Sequence, residues 1–153
     1  PDLGWPWSVT RGEDMNAMDQ ARAFFEACEA PLGWAGCREF VAEGAGFSAQ
    51  SDPLADVGTV EAYCEWMKEF GTVTAPGASY EVHSAGFDEE RRIATFFATY
   101  RARHTGPGGP VPPTGRETRS HYVYVLEMDA DDKVARMTKI WNAHWAMREL
   151  GWM

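Results

Sequence analysis

The chain has 153 residues, of which 44% are hydrophobic and 13% aromatic, and this predicts one domain with a single core. Its formal net charge is -9, and no cluster of Lys and Arg is present that would neutralise phosphates, so nucleic acid is not an expected partner. The same charge disfavours anionic membranes, and no apolar run reaches the roughly 18 residues that a membrane-spanning helix needs.

The chain contains three cysteines and four histidines, and their spacing argues against a metal site. Cys28, Cys37 and Cys64 form no CxxC pair, which predicts reduced thiols that pack as small hydrophobes in a cytoplasmic protein. The histidines form neither HxH nor HExxH, the local patterns typical of zinc ligands. We therefore expect no metal.

The N-terminal part predicts an arm followed by a helix. Residues 1–15 are expected to form an extended N-terminal arm, and residues 16–153 a single domain. Helical periodicity begins at about Asn16, with apolar residues at the i, i+4, i+7, i+8 and i+11 spacing. That apolar stripe consists of Ala17, Ala21, Phe24, Phe25 and Cys28. Pro31 and Gly33 are predicted to end the helix.

Two more helices and a strand are predicted before the chain becomes β-rich. A short helix over about 36–42 precedes the segment GAGFSAQSDPL, which is typical of a strand that leads into a loop. Thr59 is the expected N-cap of a third helix. The apolar side of this helix carries Ala62, Tyr63, Trp66, Met67 and Phe70.

The second half of the chain predicts a sheet. Strands are expected over 79–87, 92–104, 118–128 and 133–142, followed by a short helix over about 143–150. Acidic turns at 87–90 and 129–132 link two pairs of these strands into hairpins. Helices first and a long antiparallel sheet afterwards indicate the α+β class.

A loop rich in Gly and Pro, HTGPGGPVPPTGRE, joins the second and third of these strands from His104 to Glu117. The chain also ends in the tail Arg148-Glu149-Leu150-Gly151. Together with the order of elements over residues 16–152, the loop and the RQLG-like tail resemble the SnoaL-like polyketide cyclase group of the nuclear transport factor 2-like superfamily.

The resemblance implies a cone-shaped α+β barrel in which a bent antiparallel sheet packs on about three N-terminal helices. The cone would enclose a cavity for a small hydrophobic molecule, and the sheet would form a homodimer. In the cyclases an Asp on the last strand acts as acid and base in an intramolecular aldol closure, without a metal or redox cofactor. That position falls on Lys139 here, and the accompanying His position falls on Tyr124.

Strand periodicity supports a cavity position for Lys139. Residues 135, 137, 139 and 141 share one face of the last strand, which places Lys139 between Met137 and Trp141. Desolvation would lower the pKa of a buried lysine and make its amine a general base or a Schiff-base nucleophile. The alternative is that Lys139 extends to the rim or pairs with Asp52 or Glu127.

Other residues are candidates for the wall of this cavity. Tyr122 and Tyr124 share a face of the preceding strand, and Tyr124 would donate a hydrogen bond to a substrate carbonyl or serve as an ordinary half-buried tyrosine. His104 is expected to hold the loop against the sheet. The predicted contacts to substrate are Trp141, Met137, Tyr122, Asp52, Tyr63, Trp66 and His104.

Three functions remain open at this level. The first is a metal-free enzyme that performs proton-transfer or aldol-type chemistry on a carbonyl compound, with Lys139 as base or nucleophile and Tyr124 polarising the oxygen. The second is a protein that binds a small molecule without turnover. The third is an interaction domain whose sheet serves dimerisation.

Overall fold

The computed structural model describes residues 15–153. Residues 1–14, nearly all of the predicted N-terminal arm, lie outside the described part of the chain. Within residues 15–153, no helix is both long enough and apolar enough to cross a membrane.

Helix α1 (Ala17–Glu29) begins where the sequence predicts and buries its predicted apolar stripe. The Asn16 side chain accepts a hydrogen bond from the Asp19 backbone at 2.9 Å, and Asp19 accepts one from the Asn16 backbone, which completes a capping box. The five residues of the predicted apolar stripe are all buried. The stripe therefore forms the helical wall of the core.

Of the next two helices, the first lies a few residues earlier than predicted and the second begins where predicted. Helix α2 (Gly33–Cys37) and a 3-10 turn over Arg38–Phe40 lie earlier than the predicted helix, because Val41 already belongs to a strand. Helix α3 (Val60–Glu69) begins as predicted, since the Thr59 hydroxyl accepts the Ala62 backbone N–H at 3.1 Å.

Five strands and a last helix complete the fold. The strands are β1 (Val41–Ala49), β2 (Ser79–Asp88), β3 (Ile93–Arg103), β4 (Glu117–Met128) and β5 (Val134–Trp141), and helix α4 is Ala143–Leu150. Their order in the sheet is β1-β5-β4-β3-β2, so the two predicted hairpins are confirmed.

The sheet differs from the expected antiparallel one at its first strand. β1 pairs with β5 in parallel, with Phe47 opposite Met137, and the five described strands form an open, mixed sheet. Hairpin turns dictate antiparallel pairing only between consecutive strands. β1 and β5 are separated by most of the chain, so no turn determines their relative direction.

The core lies between the helices and the inner face of the sheet. Alternate residues of β4 from Thr118 to Met128 are buried, as the predicted periodicity requires. Phe25 of α1 stacks on Phe96 of β3 with ring centroids 4.7 Å apart. Aromatic packing of this kind joins α1 to the middle of the sheet.

The Gly/Pro-rich loop is held by His104, as predicted from the sequence. The side chain of His104 is fully buried, and its Nδ1 accepts a hydrogen bond from the Trp152 indole at 3.0 Å. Its Nε2, 3.0 Å from the Gly108 carbonyl oxygen, therefore carries the proton and donates it. One ring nitrogen therefore joins the loop to the C-terminal tail, and the other holds two parts of the loop together.

Candidate functional site

A narrow apolar cavity, with about 30 Å³ of free space, lies between α1, α3, α4 and the inner face of β4 and β5. Its wall is largely aromatic and aliphatic, with a few polar groups from the helix α1 terminus and the sheet. The lining residues used below are Glu29, Trp66, Ser120, Tyr122, Lys139, Trp141 and Trp152. The wall has the chemical character of a hydrophobic binding site, and its side chains would have to move apart to admit a ligand larger than one or two water molecules.

Lys139 lies on the cavity wall in the middle of β5. Its side chain is 6% exposed, and its Nζ donates a hydrogen bond to the Tyr63 hydroxyl at 2.9 Å. The ammonium also lies over the Trp141 and Tyr63 rings, 4.8 and 5.0 Å from their centroids. Lys139 is therefore enclosed in an aromatic cage and does not reach the rim. The faces of the aromatic rings favour the charged form of its amine.

Neither carboxylate proposed as a partner for Lys139 is its partner. Glu127 pairs with Arg136 at 3.8 Å, and Asp52 lies in a short 3-10 turn on an adjoining surface depression that shares Pro53 and Trp141 with the cavity. Among the described residues, no carboxylate forms an ion pair with Lys139 within 4.0 Å. The pairing of Lys139 with Asp52 is therefore not present, although Pro53, the residue after Asp52, lines the cavity.

Glu29, the last residue of α1, is a site residue that the sequence reasoning missed. It lines the same cavity as Lys139 and is 4% exposed, and neither carboxylate oxygen has a hydrogen-bond partner among the described residues. Its position could have been recognised, since it lies four residues after Phe25 on the buried stripe. A carboxylate at such a position is costly unless a function or a partner compensates it.

Burial moves the pKa values of the two ionisable groups of the cavity toward neutral pH, lowering that of Lys139 and raising that of Glu29. Desolvation lowers the pKa of Lys139 to about 8, although the negative charge of Glu29 opposes the shift. Desolvation also raises the pKa of Glu29 to about 7, and the positive charge of Lys139 opposes it. Near pH 7 to 8, a buried ammonium and a partly ionised carboxylate therefore face one cavity.

The tyrosines divide into a buried pair and one that faces the cavity. The Tyr124 hydroxyl lies 2.9 Å from that of Tyr63, behind the Lys139 amine, and both are fully buried. Tyr124 is opposite Lys139 in the strand register, as expected, but it does not line the cavity. Tyr122 does line it, and its hydroxyl has no partner among the described residues. Tyr122 is therefore the tyrosine placed to meet a ligand.

The remaining predicted contacts are split between the cavity and the core. Trp66 and Trp141 line the cavity, whereas Met137 is fully buried on the same face of β5 and packs in the core. Tyr63 supports the Lys139 amine from behind. His104 belongs to the loop, and its neighbour Trp152 supplies the cavity wall there.

The three cysteines are buried, as predicted for small hydrophobic side chains, and they are adjacent, which the sequence analysis did not predict. Cys28, Cys37 and Cys64 come from α1, α2 and α3, and their sulfur atoms all lie within 4.8 Å of one another. Local spacing does not reveal this cluster, because three different helices build it.

Several of the solved structures with this fold are named as candidate polyketide cyclases. A SnoaL-like candidate polyketide cyclase from Jannaschia sp. CCS1 is 18% identical, covers 88% of this chain and 90% of its own, and has a TM-score of 0.72. IdmH, a candidate polyketide cyclase from Streptomyces antibioticus, is 15% identical over 90% of this chain and 99% of its own, with a TM-score of 0.69.

AclR from Streptomyces galilaeus, a candidate hydroxylase, is 21% identical over 89% of this chain and 87% of its own, with a TM-score of 0.67. These likenesses confirm the predicted cone-shaped α+β fold of the nuclear transport factor 2-like superfamily. A comparison with curated protein sequences gives no significant match. The SnoaL-like domain matches residues 21–137, well over half of the chain, and the protein therefore belongs to the SnoaL-like family.

Proposed function

We propose that this protein is an enzyme that binds a small hydrophobic carbonyl compound and transfers a proton at the carbon next to the carbonyl. The observation that carries the proposal is the placement of Glu29 and Lys139 on the wall of one apolar cavity. Carbonyl chemistry needs a base for the carbon acid and a positive group for the developing oxyanion, and these two side chains supply both.

In the proposed reaction, the Glu29 carboxylate accepts the proton from the carbon next to the carbonyl. The electron pair of that C–H bond forms a carbon–carbon double bond, and the carbonyl electrons move onto oxygen. The Lys139 ammonium and the Tyr122 hydroxyl stabilise this enolate oxygen. The enolate carbon then takes back a proton from Glu29, or it attacks a second carbonyl of the same molecule in an aldol closure.

The hydrogen bond from Lys139 to Tyr63 supports the role of the amine. Tyr63 accepts from Nζ at 2.9 Å and exchanges a second hydrogen bond with Tyr124, so the amine is held at one point of the wall. An oxyanion-stabilising group acts best when it is already oriented before the charge develops. Tyr124 is accordingly proposed as a positioning residue.

Exchange of the acidic protons of 2-tetralone, an aromatic ketone, tests the proposal. In deuterated buffer the wild-type protein should accelerate deuterium incorporation, followed by NMR. Glu29→Gln and Lys139→Met should each lower the rate by about 100-fold or more, which is the ordinary contribution of a positioned acid or base.

The chain offers matched controls for both substitutions. Glu26→Gln changes an exposed carboxylate one turn earlier on α1, and Lys133→Met changes a lysine that lies before β5, outside the cavity. Both controls should retain the wild-type exchange rate. Equal rates for the wild-type protein and the two site variants would contradict the proposal.

A Schiff base between the Lys139 amine and the ketone is the competing use of the same residue. Borohydride would reduce such an imine to a stable secondary amine, visible as an adduct on Lys139 in the mass spectrum. An adduct in the wild-type protein would mean that Lys139 acts as a covalent nucleophile and not as an ammonium that stabilises the enolate. Ligand-induced quenching of Trp fluorescence without any exchange would instead favour the binding-protein function.

We also propose that the outer face of the sheet forms a homodimer. Phe97, Val123 and Ile140 lie directly opposite one another on β3, β4 and β5 and form an apolar row on this face. Ile140 is 59% exposed. A contiguous apolar row in water favours association with a matching surface.

A further inference from the structure

The three buried cysteines form a compact set of sulfur donors where α1, α2 and α3 meet. The fully buried Cys28, Cys37 and Cys64 have all three sulfur atoms within 4.8 Å of one another. That limit guarantees a point no more than about 2.8 Å from every sulfur, compared with the ~2.3 Å typical of metal–thiolate bonds. A movement of about half an ångström per sulfur would therefore close the triangle around an ion.

The donor set selects for a soft cation that accepts three ligands. Among the described residues, no His, Asp or Glu joins the three sulfurs in this group. A structural zinc site is almost always four-coordinate, whereas all-thiolate surroundings favour Cu(I). The three cysteines are each at most 1% exposed, so solvent does not reach the sulfurs directly to complete a zinc shell.

The surroundings of the cluster fit a thiolate site. The Tyr124 hydroxyl donates to the Cys28 sulfur at 3.6 Å, the kind of outer hydrogen bond that orients a metal ligand.

We propose that Cys28, Cys37 and Cys64 form a three-coordinate site for Cu(I). Binding replaces the three S–H bonds by S–Cu bonds and releases three protons to solvent, with no change of oxidation state. The three thiols are distinct from Glu29 and Lys139. Tyr124 contacts both groups, through Cys28 and through Tyr63.

Anaerobic titration of the reduced protein with Cu(I), in competition with the chelator bathocuproine disulfonate, tests the site. One Cu(I) per chain should bind, and copper X-ray absorption should report three sulfur neighbours. Alanine at any one of the three cysteines should weaken binding by more than about 100-fold, beyond the loss expected for an outer-shell change.

Val60→Ala is the matched control, because Val60 is fully buried on the same helix as Cys64 and its loss leaves all three thiols in place. This variant should bind Cu(I) with wild-type affinity, and its far-ultraviolet circular dichroism should show that it folds. Absence of Cu(I) binding by the wild-type protein would overturn the proposal. Equal affinity in the alanine variants, or two-sulfur coordination, would also overturn it.

Discussion

At the scale of single residues, the cavity is defined by two charges in an apolar wall. Burial acts against the ionised form of both Glu29 and Lys139, and their attraction for each other compensates only part of that cost. As a result both groups titrate near neutral pH, whereas an exposed Glu or Lys stays fully ionised there. Three predictions follow from these shifted pKa values.

The proposed exchange reaction should have a bell-shaped dependence on pH. Its rate should rise as Glu29 loses a proton around pH 7 and fall as Lys139 loses its charge around pH 8. Initial exchange rates of 2-tetralone across this range give the profile. A rate that keeps rising above pH 8 would mean that the neutral amine of Lys139, and not its ammonium, is the active form.

Glu29 should make the folded protein less stable as the pH rises. Its pKa is about 7 in the folded chain against an ordinary value of 4.5, so the folded state retains a proton that the unfolded state has lost. The stabilisation is fully present below about pH 4.5 and disappears as the pH rises through 7, a change of at most about 3 kcal/mol.

Urea unfolding of the wild type and Glu29→Gln at several pH values measures this change. The variant should gain stability relative to the wild type between pH 5 and 7, while Glu26→Gln, on the exposed side of α1, should not. A difference between the wild type and Glu29→Gln that stays constant with pH would contradict the raised pKa.

Replacing Lys139 by methionine should remove function without loss of stability. At pH 6 most of Glu29 is protonated, so the substitution leaves no unpaired buried charge behind. Relief of the desolvation cost of the ammonium should leave the free energy of unfolding unchanged or raise it by up to about 2 kcal/mol. Urea unfolding tests this, and a clear loss of stability would show that the amine mainly holds the fold together.

At the scale of elements, the Gly/Pro-rich loop closes the fold near the cavity. It connects β3 to β4, and His104 ties it to Trp152 of the cavity wall. The loop also packs on the turn after α3, where the Gly106 backbone donates to the Thr74 carbonyl at 2.9 Å. The loop is therefore a structural support of the site and contributes no catalytic group to it.

Gly106→Ala should strongly destabilise the protein, because the new methyl group would overlap the Val73 carbonyl oxygen. The backbone on both sides would have to move apart, which we expect to cost about 3 kcal/mol or more. Gly58→Ala is the control, since its methyl group would enter open space at an ordinary backbone conformation. Thermal unfolding should separate the two variants, and equal melting temperatures would contradict the close packing of this loop.

At the scale of the whole molecule, the open sheet has two different faces. The inner face packs on the helices and carries the site, and the outer face exposes the row formed by Phe97, Val123 and Ile140. The proposed dimer would cover this row and leave the cavity of each protomer on the opposite side of its sheet.

Val123→Asp should convert the proposed dimer into a monomer, because it would bury a charge at the centre of the interface. Sedimentation equilibrium measures the mass in solution. Leu32→Asp is the control, since Leu32 is an exposed apolar residue on the helical side of the molecule. A wild-type protein that sediments as a monomer would contradict the dimer.

Local interactions explain what the sequence by itself determined. Side-chain alternation located four of the five strands. Helical periodicity from about Asn16 and the Thr59 cap marked two helix starts, and strand periodicity placed Lys139 on the inner face. The loop and tail also led to the SnoaL-like family. Each of these features depends on residues close together in the chain, where period and capping chemistry can be read directly.

Only the tertiary structure decided how distant segments meet. Glu29 and Lys139 are more than a hundred residues apart, and the fold brings both to one cavity, whereas Asp52 does not line it. The tertiary structure also decided the parallel pairing of β1 with β5 and the meeting of three thiols from three different helices. The physical reason is that these contacts come from packing between elements, which no spacing along the chain encodes.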